Sequence, residues 1–336
     1  MLLAAFDRPR LTFHFKQTEM KTVLITGGTG MVGRALTKAL QEKGYGVIVM
    51  GRGGARDTGY GMRDSGGGLE FAKWNVEKQE IDAAAVAKAD YIIHLAGAGV
   101  AEKRWTTKRK KEIVDSRVKS GALLVHSLKT IPNKVKAVIS ASAIGWYGAD
   151  GVTHNLTHDQ KFVESDEAAN DFLGQTSKQW EESIEPVAAS GKRLVKLRIG
   201  IVLSTEGGAL KEFMRPLKFG VASVLGSGKQ IISWIHIDDL VNMFITAIER
   251  EDIHGVYNAV APSPVSNKEL ILTLAKARHK FYIPVPVPSF VLKLMLGEMS
   301  IEILKSATVS SAKAEKAGFS FRYTDIKSAL NSFIKQ

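Results

Sequence analysis

The chain has 336 residues, of which 45% are hydrophobic and 24% are charged, a composition typical of a globular protein with one large or two modest domains. It contains no cysteine, which excludes disulfides, thiolate metal sites and a cysteine nucleophile. The formal net charge is +12, and this excess attracts anionic cofactors and substrates.

Residues 1–20 precede the first predicted strand, and we expect them to be either a disordered extension or the result of a start site placed upstream of Met20. The apolar run Met1–Phe6 is too short for the hydrophobic region of a secretory signal. No segment has the length and apolar character of a membrane span. Together with the lack of cysteine, which fits a reducing compartment, this predicts a cytoplasmic protein.

The most informative segment is Val23–Gly33, with the sequence VLITGGTGMVG. It is typical of a buried strand, a glycine turn and the start of a helix. Gly27 permits a tight turn, Gly30 lets the backbone approach a pyrophosphate, and Gly33 lets the helix pack closely on the strand. The helix N-terminus adds free N–H groups and the positive end of the helix dipole. The segment therefore predicts a dinucleotide-binding site.

Short apolar runs alternate with amphipathic stretches up to residue 199, which indicates a parallel sheet flanked by helices. The glycine-rich residues 51–68 are expected to form a flexible loop beside the adenosine half of a dinucleotide, and Pro284, Pro286 and Pro288 indicate an extended connector. We predict an α/β, doubly wound Rossmann fold. Its nucleotide-binding domain would contain residues 21–205 and 234–262, and a smaller C-terminal substrate lobe would contain residues 206–233 and 263–336.

The end of the second predicted strand bears on the choice between NAD and NADP. An NAD site generally has a carboxylate about 20 residues beyond the glycines, where it binds the ribose 2′-hydroxyl. Here that position holds Gly51 and Arg52, and a guanidinium suits a 2′-phosphate, with Arg34 able to assist. We therefore predict NADP in preference to NAD; the alternative is that Arg52 is simply an exposed loop residue. Asn75 either bonds the adenine edge or caps a turn.

Several runs resemble extended or atypical short-chain dehydrogenases/reductases: the glycine motif, His94–Gly97, Ser140–Ser142 and Trp234–Asp239. Others are similar, more narrowly, to the uncharacterised epimerase-family branch of that superfamily: Arg104-Trp105 with Ser116-Arg117, Ser142–Gly148, Gly207–Leu210, Gly226–Gln230, Gly297–Met299 and Ala317–Phe319. The resemblance covers about residues 21–334 and implies a Rossmann domain that binds NADP(H) and a C-terminal domain of undefined substrate. With the motif geometry, it predicts these cofactor-binding residues: Gly27, Thr29, Gly30, Met31, Val32, Gly33, Arg34, Arg52, Asn75, Leu95, Ala96, Gly97 and Lys178.

The resemblance also implies three catalytic roles. A tyrosine acts as acid and base, a lysine lowers the pKa of that tyrosine and holds the nicotinamide ribose, and a serine or threonine positions the substrate oxygen. Ser142 fits the serine role and Lys178 the lysine role, but the tyrosine expected four residues before the lysine is Gly174. Tyr147 is the nearest substitute in sequence, and it is either a proton donor or an aromatic wall of the pocket.

Four more side chains are predicted to contact substrate. Arg104 and Trp105 can bind an anionic, partly planar substrate by ion pairing and stacking, or they can cap the cleft. Lys229 and Gln230 lie in a glycine-rich run that is either an anion-binding loop or a hairpin. No spacing of histidines and carboxylates supports a metal site, so no metal is predicted.

Much of the positive charge lies between Lys103 and Lys136. We interpret it as a solvated helix face with a few residues near an anionic ligand, because no aromatic-interleaved basic motif indicates nucleic-acid binding. The sequence thus predicts an NADP(H)-dependent oxidoreductase or epimerase for a small, anionic or nucleotide-linked substrate. It would be a monomer or homodimer without nucleic-acid or membrane partners. The alternative is an NADP-binding redox sensor or partner-binding regulator without turnover, since some relatives in this branch carry a cell-division-inhibitor label.

Overall fold

An unbroken run of buried residues, Thr22–Thr26, forms the central strand of an eight-stranded sheet. The computed structural model describes residues 20–53, 68–151 and 161–334. All five side chains of this strand are buried because helices cover both faces of the sheet.

The bounds of the elements follow in chain order. The strands are β1 (Thr22–Thr26), β2 (Gly46–Gly51), β3 (Leu69–Asn75), β4 (Glu80–Ile81), β5 (Tyr91–His94), β6 (Ala137–Ala143), β7 (Arg193–Ile199), β8 (Ile201–Leu203), β9 (Val221–Leu225), β10 (Ile231–Ile232), β11 (Trp234–His236), β12 (Gly255–Ala259), β13 (Val265–Ser266) and β14 (Ile283–Val287). The α-helices are α1 (Met31–Glu42), α2 (Ala83–Lys88), α3 (Thr107–Thr130), α4 (Phe172–Ile184), α5 (Pro186–Ala189), α6 (Gly208–Leu217), α7 (Ile237–Glu249), α8 (Asn267–Ala277), α9 (Ser289–Leu296), α10 (Ser300–Leu304), α11 (Ala312–Lys316) and α12 (Ile326–Ser332). Single 3-10 turns cover Ile144–Tyr147 and Gly297–Met299.

The order of strands across the main sheet is β12-β7-β6-β5-β1-β2-β3-β4, and the pairs are parallel except for β3 with β4. The predicted doubly wound Rossmann fold is confirmed. The chain reverses its direction of progress across the sheet between β1 and β5. In open α/β sheets a crevice forms at such a point, beyond the carboxyl ends of the strands.

Alternate side chains of the sheet supply two separate cores. On one face, Val23 and Ile25 pack with α1 and α7 residues such as Leu36 and Phe244. On the other face, Leu24 packs with residues of α2, α3 and α4. This division by strand periodicity places α1 and α3 on opposite sides of the sheet, so that their N-terminal ends border the crevice from both sides.

The C-terminal region contains a strand pair that the sequence did not indicate. The proline-rich segment predicted as a connector is extended, but it forms the strand β14, in parallel pairing with β9. Pro284 and Pro286 alternate along the strand with Ile283 and Val285. The N–H of Ile283 donates to the carbonyl of Gly220, so this set of positions faces β9 and the proline positions, which have no N–H, face away from it. Proline is therefore compatible with this strand.

Two expectations fall on residues outside the described ranges: the disordered extension within residues 1–20 and most of the flexible loop 51–68. Among the described helices, none combines the length and apolar character needed to cross a bilayer.

Candidate dinucleotide-binding and active site

A cleft of about 1060 Å³ lies beyond the carboxyl ends of β1, β2 and β5, at the crevice described above. It brings together side chains and backbone from the ends of β1, β2, β3 and β5, from β4 and from the start of α3. The sequence-predicted cofactor residues that line it are Gly27, Thr29, Gly30, Arg52, Asn75, Leu95, Ala96 and Gly97.

The glycine turn has the geometry that its spacing predicts. Gly27 has a φ of +71°, and a Cβ on it would lie 2.9 Å from the backbone carbon of Leu95. A Cβ on Gly33 would lie 2.5 Å from the Cα of Gly28, so only glycine lets α1 pack this closely on the turn. At Gly30 a Cβ would meet only the carbonyl of Gly27, at 3.3 Å, which leaves the space above this residue open to the cleft.

The remaining predicted residues of the motif support the turn from outside the cleft. Arg34 donates from Nη1 to the carbonyl of Thr29 at 2.7 Å, and its Nε lies 3.7 Å from the carboxylate of Glu206. Met31 packs against the Gly207 turn, with its sulfur 3.5 Å from a Cβ placed there. Val32 and Gly33 belong to α1 and are also absent from the cleft lining.

Arg52 and Asn75 lie on the side of the cleft formed by the ends of β2 and β3. Arg52 is exposed at the end of β2, and no carboxylate occupies that strand end. The side-chain oxygen of Asn75 accepts the N–H of Lys78 at 3.1 Å, so Asn75 caps a turn as well as lining the cleft. Carboxylates are nevertheless present on the opposite wall, where the Arg109 guanidinium lowers the pKa of Glu112.

The sequence analysis did not single out Arg109 and Arg117 of α3, because a helix rich in basic residues is typical of a solvated face. Arg109 is buried and donates to the carbonyl of Gly99 and to the carboxylates of Glu102 and Glu112. These bonds hold the loop between β5 and α3 along the cleft. Arg117 lies behind Gly97, with its Cζ 3.0 Å from a Cβ placed on that glycine. The pairing of Ser116 with Arg117 in a family-like run was the available signal.

Ser142 is the next-to-last residue of β6 and belongs to a buried polar network. Its hydroxyl donates to Glu181 at 2.7 Å, and Glu181 also accepts from Arg198 at 2.8 and 3.2 Å. Ser142 is 2% exposed, and it is not among the residues that line the cleft. Its orientation is therefore determined by Glu181, which lies on α4.

Tyr147 belongs to the same network. Its hydroxyl donates to the side-chain oxygen of Asn258 at 2.6 Å and accepts from Arg198 at 3.1 Å. The ring is fully buried and stacks on Phe162 at a centroid distance of 5.1 Å. Burial raises the pKa of Tyr147 above its ordinary value, the opposite of what a proton donor at neutral pH requires. Of the two readings of this residue, the geometry favours the structural aromatic.

The position of the missing tyrosine is closed by the backbone. A Cβ on Gly174 would lie 2.3 Å from the carbonyl oxygen of Ala169. Lys178, one turn further along α4, is exposed and makes no hydrogen bond or ion pair within the described part of the chain. Of the tyrosine–lysine pair that the resemblance implies, the tyrosine is therefore absent and the lysine is exposed to solvent.

The predicted substrate residues are divided between the surface and the interior. Trp105 packs edge-on against Phe172 at 4.9 Å and donates to the carbonyl of Val100, so its ring is engaged in packing between α4 and the loop after β5. Gln230 is buried and donates to the carbonyl of Leu225. Arg104 and Lys229 are exposed. None of the four lines the 1060 Å³ cleft.

His94, at the end of β5, connects the strand ends beneath the cleft. Its Nδ1 lies 2.7 Å from the hydroxyl of Thr26 and its Nε2 lies 3.4 Å from that of Ser120. Burial, together with repulsion from Arg117, lowers the pKa of His94 from 6.5 to about 3. The unfolded chain therefore takes up a proton that the folded chain does not, and this stability is complete above about pH 6.5 and lost as the pH falls toward 3.

When the pH falls from 6.5 to 5, we expect the free energy of unfolding of the wild type to decrease by about 2 kcal/mol more than that of His94→Asn. The reason is that asparagine keeps a polar group near Thr26 but does not titrate. Urea unfolding at several pH values measures this slope. His126→Asn, on the exposed side of α3, serves as the control. Parallel pH curves for His94→Asn and the wild type would contradict the prediction.

A second expectation concerns Gly174. Gly174→Ala should lower the free energy of unfolding by about 1–3 kcal/mol, and Gly174→Tyr by more, because the added atoms overlap the carbonyl of Ala169. Urea unfolding tests both. Gly51→Ala is the control, since a Cβ there meets nothing closer than 3.7 Å. Unchanged stability of Gly174→Tyr would show that the loop before α4 yields readily and that the space is not closed.

Comparison with known proteins agrees with this architecture. Residues 23–259 match the NAD dependent epimerase/dehydratase family, and residues 287–333 match DUF1731, a domain of unknown function. Epimerase family protein YfhF of Bacillus subtilis (strain 168) is 35% identical over 316 residues, which are 93% of this chain and 97% of YfhF. The human epimerase family protein SDR39U1 (isoform 2), crystallised with NADPH, has a TM-score of 0.80 and 26% identity over 94% of this chain and 99% of that one.

A more distant structure shares the fold alone. MoeE5, in complex with UDP-glucuronic acid and NAD, has a TM-score of 0.74 and 21% identity over 94% of this chain and 98% of that one. The resemblance drawn from the glycine motif and the later runs is thereby confirmed. From the match over residues 23–259 and the likeness to YfhF along nearly the whole chain, we conclude that this protein belongs to the NAD dependent epimerase/dehydratase family.

Proposed function

We propose that this protein binds NADP(H) in the cleft beyond β1, β2 and β5 and acts as an oxidoreductase or epimerase on a small, anionic or nucleotide-linked substrate. The observation that carries the proposal is the combination of the open glycine turn with Arg52, and no carboxylate, at the end of β2. The NADPH complex of human SDR39U1 supports the choice of NADP. MoeE5 was crystallised with NAD, so the fold alone does not decide between the two.

The residues of the cleft fit the dinucleotide. N–H groups of the glycine turn and of the start of α1 would bind the pyrophosphate. Arg52 would bind the 2′-phosphate, and the free amide N–H groups of Asn75 would bind the adenine. Leu95, Ala96 and Gly97 would contact the ribose on the nicotinamide side. A bound nicotinamide supplies hydride transfer.

The chain itself must provide substrate orientation and a route for the proton. Ser142 donates to Glu181 and is buried outside the cleft lining. Its oxygen would accept a hydrogen bond from a substrate hydroxyl only if the end of β6 became exposed to the cleft. Tyr147 is already bonded to Asn258 and Arg198, so we assign proton transfer to a water molecule. Lys178 would contact the dinucleotide only if its exposed side chain turned toward the cleft.

Substrate contacts are proposed for the exposed cations Arg104 and Lys229 rather than for Trp105 and Gln230, which are engaged in packing. A nucleic-acid partner is disfavoured because many basic residues of α3 are neutralised in place. Ion pairs with carboxylates of this chain involve Arg109, Lys110, Lys111 and Lys119.

The second candidate function is an NADP-binding sensor or regulator without turnover. The closed space at Gly174 and the buried hydroxyl of Tyr147 favour it, because no tyrosine of the described residues lines the cleft. The two candidates share the cofactor and differ in chemistry. A substrate screen separates them: if no turnover is found in the wild type, the sensor is favoured, and if Ser142→Ala keeps full activity, the role of Ser142 is wrong.

We expect Arg52→Gln to weaken NADPH binding about tenfold or more, the loss expected for a hydrogen-bonded ion pair with phosphate, and to leave NADH binding unchanged. Fluorescence titration with each dinucleotide measures this. The control is Arg215→Gln, because Arg215 is exposed and pairs with Glu212 away from the cleft. Nucleotide released from the purified protein, identified by mass, is an independent test: NAD in place of NADP would overturn the role given to Arg52.

A further inference from the structure

Arg117 stands directly behind the cleft wall, on α3. A Cβ on Gly97, which lines the cleft, would lie 3.0 Å from the guanidinium carbon. The guanidinium donates from Nη1 to the carbonyls of Ala98 and Ile113, each at 2.9 Å. It also lies over the ring of Trp180, 4.9 Å from the centroid. These contacts hold the side chain in one place beside the cleft.

No carboxylate among the described residues balances this charge. Within the described residues Arg117 has no acidic partner at ion-pair distance, and the charged neighbour that acts on it is Arg109, which is also positive. Burial and this repulsion lower the pKa of Arg117 to about 10, so the group is still charged at neutral pH. By contrast, Arg109 and Arg198 are each paired with glutamates.

One edge of the guanidinium remains available. Both hydrogen bonds of Arg117 are made by Nη1, and Nε and Nη2 have none with the described residues. Among the described residues, the fully buried side-chain nitrogens without a hydrogen-bond partner belong to Arg109 (Nε) and Trp180 (Nε1). Nε and Nη2 of Arg117 have no partner either, but they are not fully buried, so this edge of the guanidinium is accessible. Two parallel N–H donors on one edge match a carboxylate or a phosphate.

Arg117 itself is not among the residues that line the cleft, but its neighbours Gly97 and Ser116 are. We propose that the Nε–Nη2 edge of Arg117 binds an anionic group, a carboxylate or a phosphate, that reaches it past Gly97 from the cleft. Keeping a half-buried cation without a counter-ion is costly, and a bound anion lowers that cost. Lysine cannot present two parallel donors, which explains why arginine suits the position. The anion has two possible sources, and both rest on the proposed function: a phosphate of the dinucleotide or an acidic group of the substrate.

Two variants and three probes test this. Arg117→Gln removes the charge and Arg117→Lys keeps it without the paired donors. Each variant and the wild type are titrated with NADPH by fluorescence, and with malonate and inorganic phosphate by calorimetry, both with and without saturating NADPH. We expect Arg117→Gln to weaken at least one of these interactions about tenfold or more, and Arg117→Lys to weaken it less. Arg215→Gln is the matched control.

Each outcome has a defined meaning. A loss confined to NADPH identifies a phosphate of the dinucleotide as the anion, and a loss confined to malonate or phosphate identifies a substrate group. If all three titrations of Arg117→Gln match the wild type, the proposal is overturned. If the wild type does not bind NADPH, the proposed function fails, while the malonate and phosphate titrations of the cofactor-free protein still decide the role of Arg117.

Thermal unfolding distinguishes anion binding from a structural role. An anion-binding arginine without a counter-ion should be dispensable for folding, so Arg117→Gln should unfold at the wild-type temperature or above it in the absence of added anions. Stabilisation by added malonate, phosphate or NADPH should be smaller in the variant. A large drop in unfolding temperature with unchanged stabilisation by all three ligands would show that Arg117 serves packing alone.

Discussion

The buried ion pair between Arg198 and Glu181 determines the arrangement at the end of β6. Both side chains are almost completely enclosed, and their heavy atoms approach to 2.8 Å, between β7 and α4. Breaking such a pair by removing one partner typically costs about 3–5 kcal/mol, because the remaining charge is left buried. Ser142 is bonded to the glutamate and Tyr147 to the arginine. The two predicted catalytic hydroxyls are therefore part of the structural framework before any ligand arrives.

The same pair fixes α4 and so bears on the missing phenol. Glu181 lies two turns beyond Gly174 on this helix, and the first turn of the helix packs against the carbonyl of Ala169. A tyrosine at position 174 would need either a different path for the preceding loop or a shifted helix. The shift would strain the contacts of Glu181. The absence of a tyrosine at position 174 therefore depends on the path of the backbone around Ala169 as well as on the side chain at position 174.

The Rossmann part of the fold was predictable because its signals are local. Buried strands, glycine spacing and helix lengths are all recognisable within about 20 residues of sequence, and the parallel strands of the main sheet up to β7 follow these signals. The pairing of β14 with β9 joins segments about 60 residues apart, and two prolines hide the strand character. Arg109 and Arg117 were not recognised because charge patterning cannot distinguish a solvated arginine from one folded under a loop. His236 shows the same limit, because nothing in its sequence context indicates that its ring accepts the N–H of Asp238 and caps α7.

Two arginines without a carboxylate partner among the described residues lie at different places along the cleft, and the proposed selectivity depends on them. Arg52 lines the cleft at the end of β2, and Arg117 lies behind Gly97. Acidic side chains line the wall between them, but Glu102 and Glu112 are already bonded to Arg109. A ligand with negative charge at two separated points is then favoured at both ends, whereas a neutral ligand gains nothing at either. The cleft is consequently better suited to hold a polyanion in one orientation than to supply an acid or base to it, because its arginines donate hydrogen bonds but do not release protons at neutral pH.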